Sequence, residues 1–153
     1  MSREAQAQLK AFIDKFDAVD AKRIRAARKF MRALLPTAHE LVYDNYNFFV
    51  IGYSPTLRPS DAVFSLAAGA SGLGLAFLQG AKLPDPKKRL LGAGTVNRFV
   101  RLPTLDVLED PDVEALIELA IARAKVPFAK DGKGTLVIRS VSAKQRPRRK
   151  AKA

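Results

Sequence analysis

LVYDNYNFFVIGYSPTLRPSDAVFSLAAGASGLGLAFLQ, residues 41–79, decides the fold. Within it, residues 41–46, 48–53, 62–68 and 73–79 are short runs rich in aromatic and branched side chains. Turn signals separate them: Ser54-Pro55, Arg58-Pro59-Ser60-Asp61, and the Gly-Ala-Ser-Gly of 69–72. Short strands at such spacing predict an antiparallel meander. Gly69 to Gly74 invites a phosphate-loop reading, but no Lys-Ser/Thr follows and an apolar strand does, so a turn between strands explains it.

Outward from the meander the period changes. Upstream, Leu9, Phe12, Ile13 and Phe16 share one face of a helix. Asp17 or Asp20 can cap a second helix, whose apolar face holds Ile24, Ala27, Met31 and Leu34. Lys22, Arg25, Lys29 and Arg32 share roughly the opposite face, with Arg28 beside them, and Pro36 ends the helix. Downstream, residues 97–102 read as a strand after a Pro- and Gly-bearing stretch, 82–94. Asp110 is an N-cap and Pro111 the first residue of a third helix, which buries Val113, Leu116, Ile117, Ala120 and Ile121. Arg123 and Lys125 suit the negative end of its dipole. Residues 134–141 are a last strand at a sheet edge. The expected class is α+β: a two-layer sandwich with a mostly antiparallel sheet of about five or six strands, two N-terminal helices and one C-terminal helix.

The chain of 153 residues has no Cys, no Trp and a single histidine, His39. That excludes disulfides, thiolate catalysis, zinc ribbons and two-His zinc sites within one chain. No apolar run approaches the ~20 residues of a membrane span, and the first nine residues lack the apolar core of a secretory signal, so a cytoplasmic protein is expected. The net charge is +12. Half of that excess comes from Lys144, Arg146, Arg148, Arg149, Lys150 and Lys152, with no acid among residues 142–153. Such a block repels itself. The expected organisation is a folded domain over 1–141 and a disordered basic tail over 142–153.

Three segments carry a resemblance to a known family. They are Leu34-Leu35-Pro36-Thr37-Ala38-His39-Glu40-Leu41-Val42-Tyr43, Phe77-Leu78-Gln79-Gly80-Ala81-Lys82-Leu83-Pro84-Asp85-Pro86, and Leu90-Leu91-Gly92-Ala93-Gly94-Thr95 leading to Arg98-Phe99-Val100-Arg101-Leu102. In order and spacing they resemble the YdhG-like family of small bacterial proteins. The resemblance implies an α+β sandwich with helices on one sheet face, a shape similar to frataxin, and for one relative a link to iron delivery. Asp44-Asn45-Tyr46-Asn47 stands where the family often has glycine and proline, and Thr95 where it usually has lysine.

Candidate chemistry is sparse. Tyr43, Asp44, Tyr46, Asn47 and Tyr53 cluster on adjacent strands, where phenol, carboxylate and amide groups can orient a small polar ligand. His39 and Glu40 are neighbours on a strand and point to opposite faces, which argues against an acid–base pair. Asp106, Glu109, Asp110, Asp112, Glu114 and Glu118 form an acidic cluster, and a helix N-terminus explains carboxylates there better than a metal does. Neither a catalytic group, a metal site nor a cofactor is implied. Lys22, Arg25, Arg28, Lys29 and Arg32, with Lys144, Arg146, Arg148, Arg149 and Lys150, are the candidate contacts to phosphates. The leading expectation is a non-enzymatic binding module for a small molecule or protein partner, its tail attracted non-specifically to nucleic acid or another polyanion. An iron-handling accessory protein, from the resemblance, and an enzyme with a site near Tyr43 and Asp44 are the alternatives.

Overall fold

A computed structural model describes residues 2–151. Helix α1 spans Arg3–Asp14 and α2 spans Ala18–Leu34. Strands β1 (His39–Asp44), β2 (Phe49–Ser54), β3 (Phe64–Gly69), β4 (Gly72–Phe77) and β5 (Arg98–Arg101) follow, then α3 (Pro111–Ala122) and β6 (Leu136–Val141). The sheet order is β5-β4-β3-β2-β1-β6. The first five strands form the expected antiparallel meander, and β6 pairs with β1 in parallel at the opposite edge from β5. The third helix is therefore the crossover between the two sheet edges, not the last element.

Local chemistry sets these elements. Ser2 caps α1 by accepting from the Ala5 N–H, Asp17 caps α2 through the Asp20 N–H, and Asp110 caps α3 through the Asp112 and Val113 N–H groups. Ala70-Ser71 is a two-residue hairpin between β3 and β4, so the glycine run is a turn. Gly134 is required where β6 enters beside β1: a Cβ there would lie 1.7 Å from the Ala38 carbonyl oxygen.

One sheet face is covered by helices and holds the core. It carries Phe49, Ile51 and Tyr53 from β2, Phe64, Leu66 and Ala68 from β3, and Leu73, Leu75 and Phe77 from β4. Phe49 meets Phe12 of α1 and Phe16 beyond it, with ring centroids 6.3 and 6.1 Å away. The other face is floored by small residues, including Gly52, Ser65, Ala67, Gly74 and Ala76.

The segment after β6 departs from the expected disordered tail. The described part, 142–151, is irregular in backbone but lies against the domain. The Ser142 N–H donates to the Asp44 carbonyl and the Arg146 N–H to the Tyr46 carbonyl. Arg148 is only 4 % exposed, and its Nη2 donates to Asp44 Oδ1 at 2.9 Å and to the Asn45 carbonyl at 2.6 Å. A buried carboxylate supplies what composition cannot show, a fixed counter-charge that outweighs repulsion within the block. Lys152 of the expected tail, with Ala153, lies outside the described residues.

Removal of residues 142–153 takes Arg148 from Asp44 and leaves the buried carboxylate on Lys15 alone. The Arg148 Nε and Nη1 find no acceptor among the described residues, which discounts the native contact. The truncated chain is expected to lose about 2 kcal/mol in urea denaturation, and Arg148→Ala most of the same, while Lys150→Ala changes nothing measurable. Equal stability of full and truncated chains would mean that the segment is not docked.

Candidate functional site

The five residues expected to form a ligand platform do not converge. Tyr43 is half-buried on the open sheet face, opposite Val50 of β2. Asp44 and Tyr53 point the other way, under the helices, and both are fully buried. Tyr46 and Asn47 stand in the four-residue turn after β1, outside any strand. Strand alternation scatters the set. The placement of the end of β1, two residues earlier than the sequence suggested, removes Tyr46 from the sheet.

What the structure gathers instead is charge around β1. Glu40, Val42 and Asp44 share its helix-facing side, so two carboxylates sit where apolar residues belong. Glu40 receives Arg28 of α2 as a fork, Nε to Oε2 at 3.0 Å and Nη2 to Oε1 at 2.9 Å. Tyr53, its cross-strand partner, donates its hydroxyl to Oε2 at 3.0 Å. Arg32 lies 3.9 Å from Oε1. Four residues along, Asp44 receives Lys15 Nζ at 2.6 Å and Arg148 Nη2 at 2.9 Å. Gln145 ties the two ends together: its Oε1 accepts from Lys15, and its Nε2 donates to the Asp44 carbonyl.

The docked segment changes the surface. Between α1 and α2 runs a groove of about 340 Å³ floored by Leu9 and Ile13 and bordered by Lys10, Arg25, Arg28, Lys29 and Arg32. Asp14, exposed at its end, is paired with Lys10 and Arg25, whose hydrogen bonds hold its carboxyl below the ordinary range. Arg28 is committed to Glu40, so the expected stripe loses one member as a ligand contact. Arg149 compensates. It lies in one shallow depression with Lys22 and Arg25, and its Nε donates to the Lys15 carbonyl at 3.1 Å. Arg149 also borders a second depression with Phe48, Asn47 and Arg146. There Tyr46 and Phe48 are 50 % and 49 % exposed, and the Arg146 guanidinium stacks 5.7 Å from the Tyr46 ring centroid. Lys144 and Lys150 are exposed nearby in sequence. Stacking groups beside the cations thus come from the turn after β1.

The remaining candidates are occupied structurally. His39 Nδ1 lies 2.9 Å from Thr135 Oγ1 and accepts from the Thr135 N–H at 3.2 Å, while Glu40 faces inward, as strand alternation requires. In the acidic cluster Asp110 caps α3, and Arg89 pairs with Asp110 and Asp112 at 3.4 and 3.2 Å. Among the described residues no three of these carboxylates, nor any other set with His39, gather in a way that could hold a metal ion. No helix among them is long and apolar enough to cross a membrane.

Two features escaped the sequence. The Glu40–Arg28–Tyr53 cluster had a signal: acids alternating with Val42 on a strand opposite Phe49, Ile51 and Tyr53 must face a core. The Asp44–Arg148 pair had none, because 104 residues separate its partners. The chain matches no protein-family model, no curated protein and no solved structure.

Burial pushes the Tyr53 phenol well above its usual 10.0, aided by the Glu40 charge and hydrogen bond and opposed by Arg28 and Arg32. Above that ordinary value the unfolded chain gives up this proton and the folded chain keeps it, so the contribution is complete below about pH 10 and lost as pH rises. Denaturation between about pH 9 and 11.5 is expected to show wild-type stability falling more steeply than that of Tyr53→Phe, by a slope of about one proton. Parallel slopes would mean that Tyr53 is not held neutral by the fold.

Proposed function

We propose that this protein is a non-enzymatic binding module for single-stranded nucleic acid, tracked along the α1–α2 face and the end of the sheet. The observation that carries the reading is the position of Arg149. It joins the cations of α2, Lys22 and Arg25, to the exposed Phe48 and the Arg146–Tyr46 stack. A cationic track beside aromatic rings suits a flexible strand, whose phosphates meet the cations while bases stack. A rigid duplex can use the charge but not the rings. Lys22 and Lys29 are exposed, with no ion pair among the described residues, so they can replace counterions on a phosphate backbone without breaking a native contact. The groups brought together are cations and rings, which meet phosphates and base faces rather than base edges, so a general affinity is proposed rather than a sequence-specific one. The YdhG-like resemblance supplies a compatible fold. Its iron-delivery implication finds no support in the acidic residues, which serve as a cap and as partners of Arg89.

Fluorescence anisotropy with labelled single-stranded DNA and RNA and with duplex DNA tests this. If Lys22, Arg25, Lys29, Arg32 and Arg149 each meet one phosphate, binding to a single strand should weaken about 130-fold between about 50 and 200 mM salt. Phe48→Ala is expected to weaken single-strand binding about tenfold and leave duplex binding unchanged. Lys22→Glu/Lys29→Glu is expected to weaken both and flatten the salt dependence. Undetectable binding at low salt, or equal affinities for all three proteins, would overturn the reading.

A further inference from the structure

We propose that a separate cavity, closed by the end of α3, binds a small organic anion: a carboxylate or sulfonate carried on a hydrocarbon body. The cavity holds about 400 Å³, within the range of small-molecule sites. It lies between the last turn of α3 and two 3₁₀ turns, Pro59–Asp61 and Gly80–Lys82. It shares no residue with the helical basic face.

Its lining has two parts. Val63, Phe77, Leu83, Ala120 and Ala124 give an apolar floor, continuous with the core through buried Phe77 and Ala120. Lys82, Arg123 and Lys125 are exposed cations that also line it. None of the three is in an ion pair among the described residues. Asp61 is the single acid on the wall, and its Oδ2 accepts from the Thr56 hydroxyl at 2.7 Å. The cavity is therefore apolar inside and net cationic.

A bland explanation exists for cations at a helix C-terminus, since they complement the dipole and bond the last free carbonyls. Arg123 does not do the second. Its Nη1 donates to the carbonyl of Lys82, on the 3₁₀ turn across from the helix, at 3.1 Å. That bond holds one guanidinium edge and leaves Nη2 and Nε for an incoming anion. A planar fork beside an ammonium suits a carboxylate or sulfonate head, while the hydrocarbon body takes the floor.

The walls are set before any ligand arrives. The Val63 N–H donates to the Tyr53 carbonyl at 2.9 Å, and the Leu78 N–H to the Val63 carbonyl at 3.0 Å. Gly80 is packed so closely that a Cβ would come within 2.7 Å of the Arg98 Cβ. Little ordering is left for binding to cost, which favours a pre-formed site.

Titration of the full chain with 8-anilinonaphthalene-1-sulfonate, followed by its fluorescence, tests the site. One saturable site is expected. Lys82→Glu/Arg123→Glu should weaken it about tenfold or more, and Ala124→Phe, which fills the cavity from the chain just past α3, should abolish it with the circular dichroism unchanged. Decanoate should displace the probe at a concentration about tenfold lower than decanol does. Non-saturable fluorescence, or binding that survives both variants, would place the probe on the basic exterior and overturn the proposal. Equal displacement by decanol and decanoate would overturn it as well, since the head group would not be read.

Discussion

Two carboxylates on the covered side of β1 constrain the rest of the structure. Glu40 and Asp44 are 2 % and 0 % exposed, on a face whose other positions are apolar. A charge taken out of water costs several kcal/mol unless it is paired and hydrogen-bonded. Each acid therefore dictates what must lie above it. Glu40 requires Arg28, which fixes the rotation of α2 over the sheet, and Tyr53 fills the remaining side of its Oε2. Asp44 requires Lys15 from the end of α1 and Arg148 from the segment after β6. Both pairings reach across the layers, so the helices and the last segment are positioned by charge as well as by apolar contact.

The shape of the basic surface follows from the second acid. Once Arg148 is drawn under the turn after β1, its neighbour Arg149 has to emerge beside Lys15, next to Lys22 and Arg25. Arg146 is brought to Tyr46 by the same docking, through its own N–H and its guanidinium. Two basic segments separated by more than a hundred residues thereby become one surface. An untethered tail would offer the same charges, but would lose ordering entropy on every encounter and would present no rings at a fixed spacing. The second cavity, at the far end of α3, draws on none of this and depends on the meander and its 3₁₀ turns.

Much of the fold was legible because it rests on short-range rules. Period-3.6 apolar positions in Leu9, Phe12, Ile13 and Phe16, the Asp17 and Asp110 caps, Pro111 and the turn dipeptides act within a few residues of themselves. They placed three helices and six strands, with strand ends shifted by one or two residues. The site was much less legible. Tyr43, Asp44 and Tyr53 look like one cluster in sequence, yet strand alternation sends Tyr43 to the open face and the other two into the core. The segment from 142 looked disordered because like charges repel, a rule that holds until a buried counter-charge is available. That counter-charge stands at Asp44, and no local pattern links it to Arg148.

Amide hydrogen exchange at Ser142 and Arg146 bears on the Asp44 latch more directly than any other observation. Their N–H groups donate to the carbonyls of Asp44 and Tyr46 only while the segment is docked. Both amides should exchange more slowly than in an unstructured peptide, and Asp44→Asn should remove that protection while the amides of β2 and β3 keep theirs. Exchange at the unstructured rate in the wild-type chain would contradict the latch and return the segment to a free tail.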